Sequence, residues 1–480
     1  MVELSARRRM LILAICCMSL LLVSLDTTVL NVALPSMRRE LGASVAGMQW
    51  TIDAYTLVLA SLLMLAGSTA DRIGRRRVFT VGLVLFTAGS LLCSLAPGLH
   101  WLIAFRTVQA VGGSMLNPVA MSIITNTFTE PRERARAIGV WGGVVGISMA
   151  AGPLIGGLLV ESVGWRSVFW VNLPVGLLAL ALTLRFVPES RAAHPRRPDP
   201  VGQLLVMALL GSVTYGIIEA PSAGWSSPLI LGCTALAVAS LAALLVYEPR
   251  RAEPLIDPRF FRSAPFSGAT LIAVSAFAAL AGFLFLNTLY LQDVRGLDAL
   301  HAGLYMLPMA ALTLVFAPLS GRLVGSRGPR LPLLVAGTAM AASGLLFAAF
   351  SAESSTPLLF TGYVLFGLGF GMVNAPITNT AVSGMPRAQA GVAAAVASTS
   401  RQTGGTLGVA VIGAVLAAGT AGGADFVAAA RPAWWIVTVC GLLVLLVGAV
   451  TSGRWASGTA RRAARALERA PVDPRAGHRR

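Results

Sequence analysis

The sequence predicts an all-α, polytopic membrane protein with fourteen transmembrane helices. Of its 480 residues, 56% are hydrophobic and only 12% are charged, whereas an average soluble protein carries about 25% charged residues. The hydrophobic residues come in runs of about 20, which is the length that a helix needs to cross the hydrocarbon layer of a bilayer. Nearly all arginines lie between these runs. The pattern therefore excludes a soluble protein with one large core.

The apolar runs give the order of the helices. Connections between consecutive runs are short, so sequential helices are expected to be neighbours. A short turn rich in glycine and charge follows the second run and forces the helices on either side of it to lie antiparallel. The predicted spans are 10–34, 48–70, 78–97, 100–124, 136–160, 166–187, 201–220, 227–247, 266–290, 302–325, 331–350, 357–380, 391–416 and 432–452.

The arginine distribution predicts how the spans are oriented. All 37 basic residues are arginines, since the chain contains no lysine. When loops are assigned alternately to the two faces, thirty arginines fall on the face that carries both termini and five on the other. Loops on the cytoplasmic side show this excess. We therefore predict a plasma-membrane protein with both termini in the cytoplasm. The net charge of +17 is attributed to topology and not to nucleic-acid binding.

A weak internal repeat divides the chain into two halves. The sequence GRLVGSRGPR at 321–330 matches GSTADRIGRR at 67–76 in two glycines and one arginine, and Gly112, Met115 and Asn117 match residues 369, 372 and 374. We predict an N-terminal six-helix bundle at 1–190, two inserted helices with their linkers at 191–262, a C-terminal six-helix bundle at 263–453 and a basic cytoplasmic tail at 454–480.

Seven short motifs occur in the order and membrane context of one known family. They are LDTTVLNVALP at 25–35, WTIDAY at 50–55, GSTADRIGRRR at 67–77, RTVQAVGG at 106–113, GISMAAGPLIGG at 146–157, WRSVFWVNLP at 165–174 and RQTGG at 401–405. Together they resemble the major facilitator superfamily, and within it the fourteen-span drug:proton antiporters of the EmrB/QacA subfamily. One departure is Ala110, where the family often has glycine. The resemblance implies the major facilitator fold, with two six-helix bundles and two inserted central helices.

The resemblance implies a conformational role for two of these motifs. The loop after the second helix would be a cytoplasmic latch between the halves, formed by Gly67, Asp71, Arg72, Gly74, Arg75 and Arg76; the alternative is that its arginines only set the topology. The fifth helix would carry the antiporter motif, formed by Gly146, Gly152, Pro153, Gly156 and Gly157. These residues also allow kinking and close helix approach, so simple packing is the alternative there.

The predicted spans contain the charged residues Asp26, Asp53 and Arg106, and each such charge costs at least about 2.5 kcal/mol. Asp26 lies in the outer half of the first span, and Asp53 and Arg106 lie about 8 Å and 9 Å inside the outer ends of theirs, at 1.5 Å per residue. All three could therefore face one cavity. We interpret Asp26 and Arg106 as the proton-coupling pair, because a buried acid beside an arginine can be tuned to bind and release a proton. The alternative is a fixed ion pair that locks two helices together.

The candidate substrate-binding residues are Asp53, Tyr55, Asn31 and Gln109, which all lie within the motifs that carry the resemblance. For Asp53, which lies nearest the interface, a solvated boundary residue is the alternative. Glu219 and Asp293 lie at predicted outer helix ends, and we interpret both as ordinary solvated residues.

Other functional classes lack their motifs. Without lysine there is no Walker motif for ATP, and the four histidines and five cysteines lack metal-ligand spacing. We expect no enzyme, no metal and no cofactor. The resemblance implies a monomeric, proton-coupled multidrug or antibiotic efflux antiporter. Its partners would be a small amphipathic substrate, cationic or neutral, together with protons and membrane lipid, and no nucleic acid. The alternative is a facilitator-type exporter or translocator of a lipid or a metabolite.

Overall fold

The computed structural model describes residues 5–192, 199–251, 253–351, 354–383, 385 and 390–468. Over these ranges the chain forms helices and no strand, as predicted. The helices are α1 (Ala6–Leu41), α2 (Val45–Ile73), α3 (Arg75–Ser94), α4 (Leu99–Thr127), α5 (Pro131–Ser162), α6 (Ser167–Trp170), α7 (Asn172–Phe186), α8 (Pro200–Ala223), α9 (Pro228–Tyr247), α10 (Ala264–Leu289), α11 (Ala299–Tyr305), α12 (Leu307–Arg327), α13 (Arg330–Ala348), α14 (Thr356–Val382), α15 (Ala390–Ala421), α16 (Phe426–Thr451) and α17 (Arg454–Glu468).

Twelve helical segments in the described ranges are long and apolar enough to cross a membrane, with α6–α7 and α11–α12 each counted as one. The two parts of α5 would add a thirteenth, and they are bent by 41° close to Pro153, whose ring removes a backbone hydrogen bond. Helix α4 has 29 residues, or about 44 Å at 1.5 Å per residue, but its arginine and amide side chains lower its hydropathy. The count of fourteen spans therefore stays a prediction.

Glycine turns and polar caps separate the first helices. Gly42 ends α1 with a φ of 61°, and its N–H bonds to the Arg38 carbonyl. The Ser44 hydroxyl then accepts the Gly47 N–H at 3.1 Å and caps α2. Gly74, with a φ of 126°, reverses the chain between α2 and α3, a conformation that residues with a Cβ rarely adopt. These two tight turns make α1, α2 and α3 run antiparallel.

The same helix pairings occur in both halves of the chain. In the first half α1 packs on α5, α2 on α4, α3 on α4, and α3 on α7. The second half repeats this pattern, with α10 on α15, α12 on α14, α13 on α14, and α13 on α16. Two repeated six-helix bundles account for this pattern, since apolar faces of equivalent helices are buried against equivalent partners. The exact domain boundaries stay a prediction.

The inserted helices α8 and α9 pack on each other, and α8 also packs on α2 and α15, one helix from each half. Two polar contacts fix α8 to α2. The Gln203 amide donates to the Ser61 carbonyl, and the Trp50 indole N–H donates to Glu219 Oε1 at 2.7 Å. Glu219 is only half-buried, so its predicted solvation is not contradicted, but its carboxylate also binds a neighbouring helix, which was not predicted.

The two halves contact each other through the helix ends that the arginine distribution predicts to be extracellular. The Gln49 amide on α2 donates to the Val409 and Ala410 carbonyls of α15 at 3.1 and 2.8 Å. Gln292 donates to the Val32 carbonyl at 2.9 Å. Helix α11 lies so close to α5 that a Cβ on Gly157 would be 2.6 Å from the Leu300 Cα. The interface between the two halves, called the seam, is thus closed at its predicted extracellular end.

An ion pair also joins the halves at the closed end. Arg38 Nη1 lies 3.2 Å from Asp293 Oδ2, and Arg39 Nη1 lies 4.0 Å from Asp293 Oδ1. Asp293 remains partly exposed, in agreement with its interpretation as a solvated residue, but it also pairs with the opposite half, which was not predicted.

Candidate functional site

A buried polar cluster is centred on the Asp26 carboxylate in α1. Asp26 is only 3% exposed and Arg106 only 1%. Arg106 Nη1 on α4 lies 2.6 Å from Asp26 Oδ2, while the Gln109 amide on α4 and the Asn172 amide on α7 donate to Asp26 Oδ1 at 2.8 and 2.9 Å. A carboxylate buried this deeply is tolerated because a cation and two amides compensate for the lost water.

The Arg106 guanidinium connects this carboxylate to a further helix. Its Nε donates to the Thr51 carbonyl of α2 at 3.2 Å, and its Nη1 also donates to Gln109 Oε1 at 2.7 Å. The guanidinium carbon lies 4.2 Å from the centre of the Tyr55 ring, a distance at which a cation is attracted to an aromatic face. Arg106 and Gln109 are three positions apart and so share one face of α4. The cluster thus joins α1, α2, α4 and α7.

Asn172 is a member of this cluster that was not predicted, unlike Asp26, Arg106, Tyr55 and Gln109. The Asn172 amide, besides bonding Asp26, donates to the Ser90 hydroxyl at 3.0 Å, and that hydroxyl donates to the Phe169 carbonyl at 2.9 Å. The available signal was an asparagine inside an apolar run, which usually marks a buried polar contact. Tyr55 and Gln109 lie in the Asp26 cluster, so their assignment to substrate stays a prediction.

Asp53 lies apart from this cluster, contrary to the expectation that all three charges share one cavity. Its side chain is 0% exposed, so the interpretation as a solvated boundary residue was wrong in this conformation. Asp53 Oδ1 accepts the Thr56 hydroxyl at 3.3 Å, and Oδ2 has no hydrogen-bond partner among the described residues. Thr56 in turn accepts the Thr406 hydroxyl of α15 at 2.9 Å. Asp53 therefore lies beside the seam between the halves.

A narrow cavity, with room for little more than a water molecule in this conformation, lies between the two halves. Asn31 and Thr28 contribute its polar wall, and the Asn31 amide donates to the Thr27 carbonyl at 2.8 Å. Its lining comes from α1, α5, α10 and the α11–α12 segment: Thr28, Asn31, Val32, Met149, Pro153, Leu284, Thr288, Met306 and Met309. Of the predicted substrate residues, only Asn31 lines it.

The glycines of the fifth-helix motif allow the helices around this cavity to approach closely. A Cβ on Gly152 would clash with the Thr28 hydroxyl, one on Gly156 would lie 3.1 Å from Val29 Cγ1, and one on Gly146 would lie 2.9 Å from Leu314 Cδ1. Across the seam, a Cβ on Gly303 would clash with the Pro153 carbonyl. The motif therefore packs α5 against α1 and against the second half.

The loop between α2 and α3 binds its own half of the molecule in this conformation. Arg75 Nε and Nη2 donate to Asp71 Oδ1 at 3.1 and 2.9 Å. The Arg76 N–H donates to Glu189 Oε1 at 3.1 Å, and the Arg76 guanidinium donates to the Leu184 carbonyl. Gly74 leaves room for the Glu189 carboxylate, and Gly67 packs near Pro118, while Arg72 is exposed. These contacts run to the end of α7, and the latch role stays a prediction.

Known proteins are similar to this chain in sequence. The family described as Major Facilitator Superfamily matches residues 16–409. "Multidrug resistance protein Stp" of Mycobacterium tuberculosis is 39% identical over 412 residues, which cover 86% of this chain and 76% of that protein. "Tetracenomycin C resistance and export protein" of Streptomyces glaucescens is 38% identical over 398 residues, which cover 83% and 74%.

Solved structures agree on the fold. A bacterial homologue of the human lysosomal transporter Spinster, in an inward-facing and unoccupied conformation, superposes with a TM-score of 0.61 at 20% identity, covering 96% of this chain and 98% of that one. A POT family transporter in complex with a thioalcohol-conjugated peptide gives 0.66 at 17% identity, covering 91% and 94%. The EmrB/QacA subfamily stays a prediction, but the predicted superfamily is confirmed: the chain belongs to the major facilitator superfamily.

Proposed function

We propose that this chain is a proton-coupled efflux antiporter that exports small amphipathic drugs or antibiotics across the plasma membrane. The observation that carries the proposal is the Asp26 carboxylate, buried at the junction of four helices and bonded to Arg106, Gln109 and Asn172. The names of the relatives, which are a multidrug resistance protein and a tetracenomycin C resistance and export protein, support the cargo class. The proposal assigns no catalytic reaction and no cofactor to the chain.

Proton binding at Asp26 would change contacts between several helices at once. The charged carboxylate accepts bonds from α4 and α7, and its partner Arg106 also holds the Thr51 carbonyl of α2. A neutral carboxyl group would lose the charge–charge attraction to the guanidinium, so the contacts of α1 with α4 and α7 would weaken, and Arg106 would be freer to change its contact with α2. A proton at one oxygen thereby favours a different packing of the first half.

The substrate would bind in the cavity between the halves. Thr28 and Asn31, which line it, lie on α1 within two turns of Asp26, so the cavity and the proton site share one helix. The rest of the lining is mostly apolar and contains three methionines, whose flexible side chains suit varied apolar cargo. Since the seam is closed at its predicted outer end, cargo would enter this conformation from the cytoplasm.

Asp53 would bind either a second proton or a cationic substrate. One charge crossing 100 mV is worth about 2.3 kcal/mol, and a tenfold proton gradient about 1.4 kcal/mol. One proton exchanged for a neutral compound can therefore use about 3.7 kcal/mol, or about 500-fold in concentration. One proton exchanged for a monovalent cation moves no net charge and supports only about tenfold. A useful exporter of cations therefore needs a second acid, and Asp53 is the candidate.

We further propose that the chain works as a monomer in the plasma membrane with both termini in the cytoplasm. The thirty-to-five arginine asymmetry supports this orientation. A single cysteine at Gly224 in a cysteine-free background should react with an impermeant maleimide in intact cells, and one at Gly328 should not. The reverse labelling pattern would overturn the orientation.

The transport proposal is tested by expression in a host that lacks its own pumps. Drug susceptibility should fall for several amphipathic compounds. Everted vesicles should take up the same compounds as protons leave, and dissipating the proton gradient should abolish the uptake. Uptake that persists without any proton gradient would contradict antiport, and uptake of a lipid or a metabolite alone would favour the alternative cargo.

A further inference from the structure

The C-terminal helix α17 has one buried face and one basic face. Ala456, Ala460, Ala463 and Leu467 are buried against the protein. Three arginines on the opposite side are exposed: Arg461, Arg462 and Arg465. The ion pairs in the described part of the chain do not include these three. Because the apolar face is occupied by the protein, the basic face is presented to the surroundings.

Helix α17 packs against the first helix of the second half, α10, and against the elements next to it. It packs on α10, on α16 and on the short 3₁₀ turn Pro258–Arg262. The Ala264 N–H, the first of α10, donates to the Thr459 hydroxyl of α17 at 2.9 Å. Ser263 precedes α10 but makes no capping bond, and its own hydroxyl is buried without a partner among the described residues. Thr459 therefore caps α10 from another helix, a role normally taken by the preceding residue.

Exposed aromatic rings lie next to the basic face. Trp455 in α17 is 63% exposed, and Phe261 in the adjoining turn is 46% exposed. Arg262 beside it is exposed as well. Tryptophan and other aromatic side chains next to arginine are typical of the boundary between a membrane and water. Helix α17 packs where α10 begins and α16 ends. Because both helices are predicted spans, the exposed rings and arginines lie at the predicted boundary between membrane and water.

We propose that the surface formed by Trp455, Arg461, Arg462 and Arg465 binds anionic phospholipid headgroups of the cytoplasmic leaflet, and that this binding holds Thr459 on the N-terminus of α10. From Arg454 to Leu467 helix α17 contains no acidic residue, and only its last residue, Glu468, is acidic, so the net positive charge of the helix suits phosphate groups. RNA or an acidic protein would also attract arginines, but neither accounts for aromatic rings exposed at helix ends within the membrane boundary. Anionic lipid would thus stabilise the cytoplasmic end of the second half.

The test measures amide hydrogen exchange of the purified full chain in two kinds of vesicle. One contains phosphatidylcholine alone, and the other contains equal parts of phosphatidylcholine and phosphatidylglycerol. Exchange in α17 and in the first turn of α10 should slow in the anionic vesicles, and high salt should cancel the effect by screening. Each arginine at an anionic surface changes binding by about fivefold, so three arginines correspond to about 100-fold in the docked population.

The variant R461Q/R462Q/R465Q should lose the lipid-dependent protection. A matched control is R322Q/R327Q/R330Q, which removes three exposed arginines from another loop on the same face and should keep the full lipid response. Amide exchange in α14 should be the same in both variants as in the parent chain, which would show that both are correctly folded. The readout does not involve transport, so it stands or falls separately from the proposed function.

Two further variants test the cap itself. T459V should speed exchange at the first turn of α10 in both lipids, whereas T459S, which keeps the hydroxyl, should resemble the parent chain. The proposal is overturned if the parent chain exchanges equally in both vesicles, or if the arginine variant responds as strongly as its control. It is also overturned if RNA or an acidic peptide gives protection that phosphatidylglycerol does not.

Discussion

Asp26 and Arg106 are 80 positions apart in the sequence, yet Oδ2 of one lies 2.6 Å from Nη1 of the other, and both side chains are almost fully buried. Removing one partner of such a pair leaves a buried charge without compensation, which typically costs about 3 to 5 kcal/mol. Two amides support the carboxylate in addition. The pair is thus a structural contact that joins two helices, and its role as the proton site stays a prediction.

Asp26→Asn should abolish proton-driven efflux of every substrate, because an amide cannot bind and release the coupling proton. Exchange of labelled for unlabelled substrate without a gradient should persist, since it needs no net proton movement. The measurement is efflux and exchange in proteoliposomes, with substrate-induced proton release followed on purified protein. Thermal unfolding distinguishes loss of coupling from loss of fold. Full proton-driven efflux by the variant would disprove the coupling role.

Asp53→Asn should spare neutral substrates and lose cationic ones. The substitution preserves the side-chain shape and the Thr56 contact, and it removes only the second ionisable group. For a monovalent cation the supported gradient should fall from about 5,000-fold with two protons to about tenfold with one, at 100 mV and a tenfold proton gradient. Accumulation ratios of one neutral and one cationic compound in vesicles measure this. Equal loss of both substrates would contradict the division of roles.

Asp71→Asn and Arg75→Ala should slow transport while membrane insertion and expression stay near those of the parent chain. The pair is partly exposed, and such pairs contribute only about 0 to 1 kcal/mol to stability. A matched control is Glu133→Gln, which breaks the partly exposed Arg9–Glu133 ion pair in the same half. Initial rates of uptake, normalised to protein in the membrane, are the readout. If the loop variants transport like the control, the loop serves only to set topology.

Gly303→Ala should open the seam at its closed end, because the added Cβ would clash with the Pro153 carbonyl of α5. Gly405→Ala is a matched control, since a Cβ there meets nothing within 4 Å. A single cysteine replacing Thr288, which lines the cavity, should react at least about tenfold faster with an impermeant maleimide from outside in the Gly303 variant, a shift of about 1.4 kcal/mol in the open population. Equal rates in both variants would show that this contact does not hold the seam shut.

The sequence alone determined the helical membrane class, the superfamily and the residues that bear charge inside the bilayer. Each of those features can be read from one segment of the sequence. The length of an apolar run decides whether a helix can cross the membrane, and a charged residue within the run is recognisable without knowing which helices surround it. The motif in 25–35 likewise identified Asp26 and Asn31 without any knowledge of their neighbours.

Only the tertiary structure decided which of these residues meet. It brought Asn172 to Asp26, placed Tyr55 under Arg106, separated Asp53 from both, and paired Asp293 with Arg38 across the halves. It also placed Thr459 on the N-terminus of α10. Each contact joins helices that are distant in sequence, and its geometry depends on how whole helices pack. Hydropathy sums residues within one segment, so it carries no information about the face that a helix turns to its neighbour.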